Sequence, residues 1–80
     1  MTPAALKARL EQLAPGTEAR VTDLTGTEDH YEAVVISSAF AGKGRMECHR
    51  MVYTLVKEEM ASGEVHALTF KTFTPEQFGG

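Results

Sequence analysis

Two strand-like runs joined by one helical stretch constrain this chain more than any other feature. Residues 31–38 (Tyr-Glu-Ala-Val-Val-Ile-Ser-Ser) are β-branched and apolar on both faces, the composition of a strand with neighbours. Residues 65–73 alternate between apolar and polar side chains and read as another strand. Between them, a helix over residues 45–61 would place Cys48, Val52, Leu55 and Val56 on one side, with His49 and Met60 flanking. Arg50, Thr54, Lys57, Glu58 and Ala61 fall on the other side. Where two strands joined by such a helix are neighbours in one sheet, they run parallel, because only a crossover returns the chain to the same edge.

Parallel neighbours begin at the same edge of the sheet, and here that edge carries imidazoles. His30 immediately precedes the second strand and His66 opens the third. Neighbouring strands lie about 4.8 Å apart, so both rings are expected within reach of one metal centre. From the residues alone, however, His66 is better read as a strand-start histidine hydrogen-bonded to a loop. His30 sits in a polar turn, where an exposed histidine is ordinary.

The rest of the chain punctuates clearly. Thr2-Pro3 opens a helix, the hydroxyl as N-cap and the proline where a missing N–H costs nothing. Leu6, Leu10 and Leu13 follow at helical spacing, and Ala14-Pro15-Gly16 ends the helix. Residues 17–24 read as a strand, which the polar turn Gly26-Thr27-Glu28-Asp29 joins to the next as a hairpin. Phe40-Ala41-Gly42-Lys43-Gly44 is a turn, Ser62-Gly63 closes the long helix, and Thr74-Pro75-Glu76-Gln77 starts a last short one. The order is α-β-β-turn-α-β-α. It predicts an α+β, two-layer domain over residues 1–80, with a three-stranded mixed sheet and helices on one face.

Composition narrows the function. A net charge of −3 disfavours non-specific nucleic-acid binding, which requires phosphates to be neutralised. Lys43, Arg45 and Arg50 nonetheless face only Glu47 locally, a small basic island suited to docking a partner or touching nucleic acid. The single cysteine, Cys48, cannot form an internal disulfide and suits a reducing compartment. No apolar run is long enough for a membrane span, and no signal peptide is expected, so the expected location is cytoplasmic. There is no paired nucleophile and base, no phosphate-binding glycine loop and no closed metal motif, so an enzyme is the least supported class.

Taken together and in order, three motifs carry a family resemblance: Phe40-Ala-Gly-Lys43, Cys48-His-Arg50-Met-Val52 and Val65-His-Ala-Leu68, followed by Thr74-Pro-Glu76. From about Val21 to Phe78 the chain resembles the BolA-like family. The resemblance implies a fold similar to the class II KH domain (αββααβα) and partnership with a monothiol glutaredoxin. Such pairs share a 2Fe–2S cluster held by the glutaredoxin cysteine, a glutathione thiolate and two ligands from the BolA-like protein. One of these maps onto His66. The other comes from the loop between the first two strands, where His30 is the candidate, as in histidine-type members. Imidazoles in place of thiolates raise a cluster's potential and can be protonated. Since two ligands alone hold iron poorly, no cofactor is expected in the isolated protein.

The chain departs from the family pattern at Cys48, where a basic residue is usual before His-Arg. A cysteine on the apolar side of a helix commonly behaves as a small core hydrophobe, although neighbouring Arg50 and His49 would favour its thiolate if it were exposed. His49, at the border of the buried face, reads as structural or interfacial. Arg50, on the solvent side, could pair with an acidic patch or with glutathione carboxylates. Two function classes remain: a non-enzymatic accessory factor in iron–sulfur cluster assembly, transfer or iron signalling, and a KH-like, DNA-binding transcriptional regulator. For the second, Gly42-Lys43-Gly44-Arg45 lies where a KH domain carries its Gly-x-x-Gly clamp, but its glycines are one residue apart instead of two.

Overall fold

The computed structural model describes residues 2–26 and 30–79. Thr2 caps the first helix, α1 (Pro3–Leu10), its hydroxyl accepting the Ala5 N–H at 3.1 Å. Leu6 and Leu10 on the inner side of α1 are fully buried. A single 3-10 turn (Glu11–Leu13) leads through Gly16, at φ 79°, into β1 (Glu18–Asp23). β2 (His30–Ile36) pairs antiparallel with β1, from Glu18 opposite Ile36 to Asp23 opposite Tyr31. Most of the polar turn expected at Gly26-Thr27-Glu28-Asp29 lies outside the described residues.

Ser37 ends β2. Its buried hydroxyl accepts the Ala39 N–H at 3.1 Å and bonds Thr17 at 2.9 Å, which starts the 3-10 turn Ser38–Phe40. Then come α2 (Arg45–Leu55), α3 (Lys57–Ser62), β3 (Ala67–Phe73) and α4 (Pro75–Gly79). β3 runs parallel to β2, from His30 opposite Ala67 to Ile36 opposite Phe73, and the three-stranded sheet has the order β1-β2-β3. The parallel crossover and the mixed sheet expected from the element order are therefore present.

One face of the sheet supplies Ala19, Tyr31, Ala33, Val35, Leu68 and Phe70 to a core closed by Leu6, Leu10, Phe40, Cys48, Val52 and Val56 from the helical side. The alternate residues Arg20, Glu32, Thr69 and Lys71 lie on the opposite, solvated face. At one end of that face α4 brings Phe78 against Phe73 (ring centroids 5.6 Å apart), with the Arg20 guanidinium 4.7 Å from the Phe78 ring.

Two boundaries differ from expectation. The helix expected over residues 45–61 breaks at Val56, which leaves helical geometry at φ −103° and ψ 17°. No glycine or proline marks the break. A β-branched residue is a weak helix former, and here it is fully buried while Leu55, expected beside it, is only half-buried. The turn redirects α3 so that Met60 packs on the core and Glu59 meets Arg9 of α1 at 3.5 Å. β3 starts at Ala67 and not at Val65. Val65 is fully buried, and its N–H donates to the Glu59 carbonyl at 3.2 Å.

Candidate functional site

The later start of β3 exchanges the positions expected of the two histidines. His30 is the first residue of β2, and His66 is the residue before β3. Each is held by its neighbours. The His30 carbonyl accepts the Leu24 N–H at 2.9 Å, extending the hairpin ladder, while buried Val65 pins the chain immediately before His66. The His30 and His66 ring centroids stand 5.9 Å apart at an interplanar angle of 39°, with His66 exposed and His30 half-buried. A metal-bound imidazole has its centroid about 3.2 Å from the ion, so two ligands on one ion have centroids roughly 5–6 Å apart. The spacing of the pair lies within that range. Among the described residues no group of three or more His, Cys, Asp or Glu could hold a metal ion.

The basic candidates lie elsewhere and do not form one patch. Lys43 and Arg45 line a cleft of about 400 Å³ between the start of α2 and the C-terminal half of β3, together with His49, Phe70, Lys71 and Thr72. Arg50 is exposed on another side of α2, where it borders a shallower hollow of about 520 Å³ with Leu13, Glu47 and Met51; only Lys43 touches both. His49 is half-buried and packs its ring on Phe70, centroids 4.6 Å apart, while Tyr53 meets the same ring edge-on at 5.1 Å. That contact fixes it on the helix side of β3, as its border position suggested. Cys48 is buried, with Sγ 4.0 Å from the Lys43 carbonyl.

Lys71, Thr72 and Gln77 on the cleft wall escaped sequence reasoning. The alternation of β3 announces Lys71 as solvent-facing. That it shares a cleft with Lys43 and Arg45 depends on how α2 lies over the sheet, which no local pattern encodes. Among the described residues no helix is long and apolar enough to cross a membrane.

Residues 6–77 match the family described as BolA-like protein. BolA-like protein 1 of Mus musculus is 37% identical over 86 residues, covering 94% of this chain and 59% of that protein. The DNA-binding transcriptional regulator BolA of Escherichia coli (strain K12) is 36% identical over 55 residues, covering 69% of this chain and 51% of that protein. Among solved structures, that of a bolA protein homologue from Coxiella burnetii is similar with a TM-score of 0.80 at 30% identity, covering 100% of this chain and 99% of that one. The chain spans about half the length of the curated relatives it matches, from 38% to 59% of BolA-like protein 1.

Proposed function

This chain belongs to the BolA-like protein family, and from that premise we propose that it is a non-enzymatic, cytoplasmic accessory factor that pairs with a monothiol glutaredoxin. In this reading His66 and His30 co-ligate a 2Fe–2S cluster bridging the two proteins, in cluster assembly, transfer or iron signalling. The observation that carries the reading is the pair of imidazoles 5.9 Å apart on one rim of the sheet. The main chain presents the rings, each neutral when it binds, since a protonated imidazole has no lone pair to offer. The glutaredoxin cysteine and a glutathione thiolate complete the set, and the cluster supplies the redox and transfer chemistry.

The test is co-reconstitution with a monothiol glutaredoxin, glutathione, iron and sulfide. A mixed complex whose visible spectrum differs from that of the glutaredoxin alone supports the reading. The same spectrum from wild type and His66→Ala would sink it.

A second reading has its own support. The Escherichia coli relative is named a DNA-binding transcriptional regulator, and Lys43, Arg45 and Arg50 are exposed here. Salt-dependent duplex binding that weakens on neutralising those residues, and is indifferent to His66→Ala, would favour a DNA-binding regulator.

A further inference from the structure

The two edge strands of the sheet are treated differently. On β1, the outward-facing N–H of Ala19 donates to the Glu11 carboxylate at 3.2 Å, so part of that edge is answered from within the chain. On β3, Phe73 turns its carbonyl inward to the Ser37 N–H at 2.9 Å. In a parallel pair, alternate residues turn both main-chain groups to the same side. Thr69 and Lys71 therefore also face β2, while Leu68, Phe70 and Thr72 turn their N–H and C=O groups outward. Among the described residues, no hydrogen bond from another element reaches the main chain of these three. The strand has neither proline nor bulge to blunt the edge.

The outward edge opens on the cleft of about 400 Å³, whose walls bear Lys43, Arg45, Lys71 and His49 and no carboxylate. Lys43, Arg45 and Lys71 form no ion pair with any described residue. An acidic protein thus gathers unpaired cations beside an unpaired row of main-chain donors and acceptors. From this we propose that the outer edge of β3 takes up an extended, acidic segment of a partner protein as an added strand. Its main chain would pair with Leu68, Phe70 and Thr72, and the carboxylates on its helical side would meet Lys43 and Arg45.

The alternation of donors and acceptors favours peptide over single-stranded nucleic acid. A peptide answers both the N–H and the C=O groups of the edge, whereas a phosphodiester backbone accepts hydrogen bonds but does not donate them. The cationic end of this surface lies away from the histidine rim, although the row of outward groups begins at Leu68, two residues after His66. From Ala67 to Thr72 the strand advances about 17 Å at 3.3–3.4 Å per residue, so the inference goes beyond the cluster reading and does not depend on it.

The test pans a displayed library of random ten-residue peptides against the full chain, then titrates the enriched peptide by NMR. The expected result is enrichment of Asp and Glu at alternate positions, with the largest amide shifts at Leu68, Phe70 and Thr72. Affinity should fall at least tenfold in Arg45→Glu, and equally when alternate peptide nitrogens are methylated. Thr72→Pro, which deletes one outward N–H and leaves the β2 ladder intact, should weaken binding to a similar degree; Arg45→Glu carries the test if that variant fails to fold. Enriched peptides without an acidic bias, shifts centred on His30 and His66, or indifference to methylation would each overturn the proposal. So would oligothymidylate displacing the enriched peptide from those amides, which would make the edge a nucleic-acid groove.

Discussion

Replacing His66 by alanine removes an exposed side chain, and buried Val65 anchors the chain immediately before it. Folding stability should therefore change by no more than about 0.5 kcal/mol, as surface substitutions usually do. Chemical denaturation of His66→Ala checks this, and it must be checked for loss of a mixed complex to be assigned to coordination. His30 allows a complementary test. His30→Cys keeps a donor at the first residue of β2 but exchanges neutral nitrogen for thiolate. In the glutaredoxin complex it should preserve the colour and lower the reduction potential by roughly 100 mV or more, since thiolate ligation stabilises the oxidised cluster. A spectroelectrochemical titration measures the shift, and an unchanged potential would remove residue 30 from the ligand set. Cys48 offers no such alternative donor, because it is turned into the core beneath the Lys43 carbonyl.

Short elements hold the sites in place, and two of them are sensitive to single changes. α3 ends on Gly63 at φ 83°, the left-handed geometry that lets the chain turn back through Val65 to the rim. A Cβ there would meet nothing within 4 Å, so the cost of Gly63→Ala is conformational alone. It should be roughly 1 kcal/mol, read as a lower denaturant midpoint at unchanged slope. Glu11 ties the end of α1 to β1. Its carboxyl is held below the usual carboxylate range by Lys7, with which it forms an ion pair, and by the Ala19 N–H. A lowered folded-state pKa contributes stability that is complete above the ordinary value of 4.5 and is lost as pH falls through the folded-state value. The stability advantage of wild type over Glu11→Gln should accordingly shrink between pH 6 and pH 3, in urea titrations at each pH. These boundaries also mark where local pattern stops being informative. Thr2, Pro3, Leu6 and Leu10 announce α1 because capping and periodicity are local. The break at Val56 and the late start of β3 come from packing against the sheet, which apolar side chains at Val56 and Val65 do not distinguish from continuation.

At the scale of the molecule, chain order carried the long-range information that local pattern lacked. A strand, a helical crossover and another strand bring His30 and His66 to one rim, although 36 positions separate them. Nothing comparable announced the cleft that Lys43 and Arg45 share with the edge of β3, because the placement of α2 over β3 depends on core volumes and not on connectivity. In the cluster reading, the same topology bears on where the chain's remaining ligands come from. Its third histidine packs on Phe70 in the helical layer, and its only cysteine is buried. Among the described residues no group of three or more His, Cys, Asp or Glu could hold a metal ion. A 2Fe–2S cluster takes four protein or thiol ligands, so the proposed function draws two of them from the partner and glutathione. Reconstituted with iron, sulfide and glutathione but no glutaredoxin, the chain should elute from a desalting column without visible absorbance. Adding a monothiol glutaredoxin to the same mixture should yield a coloured complex that co-elutes with both proteins. A stable coloured species formed by the chain alone would mean that it closes the coordination shell by self-association. The partnership proposed from His30 and His66 would then have lost its physical basis.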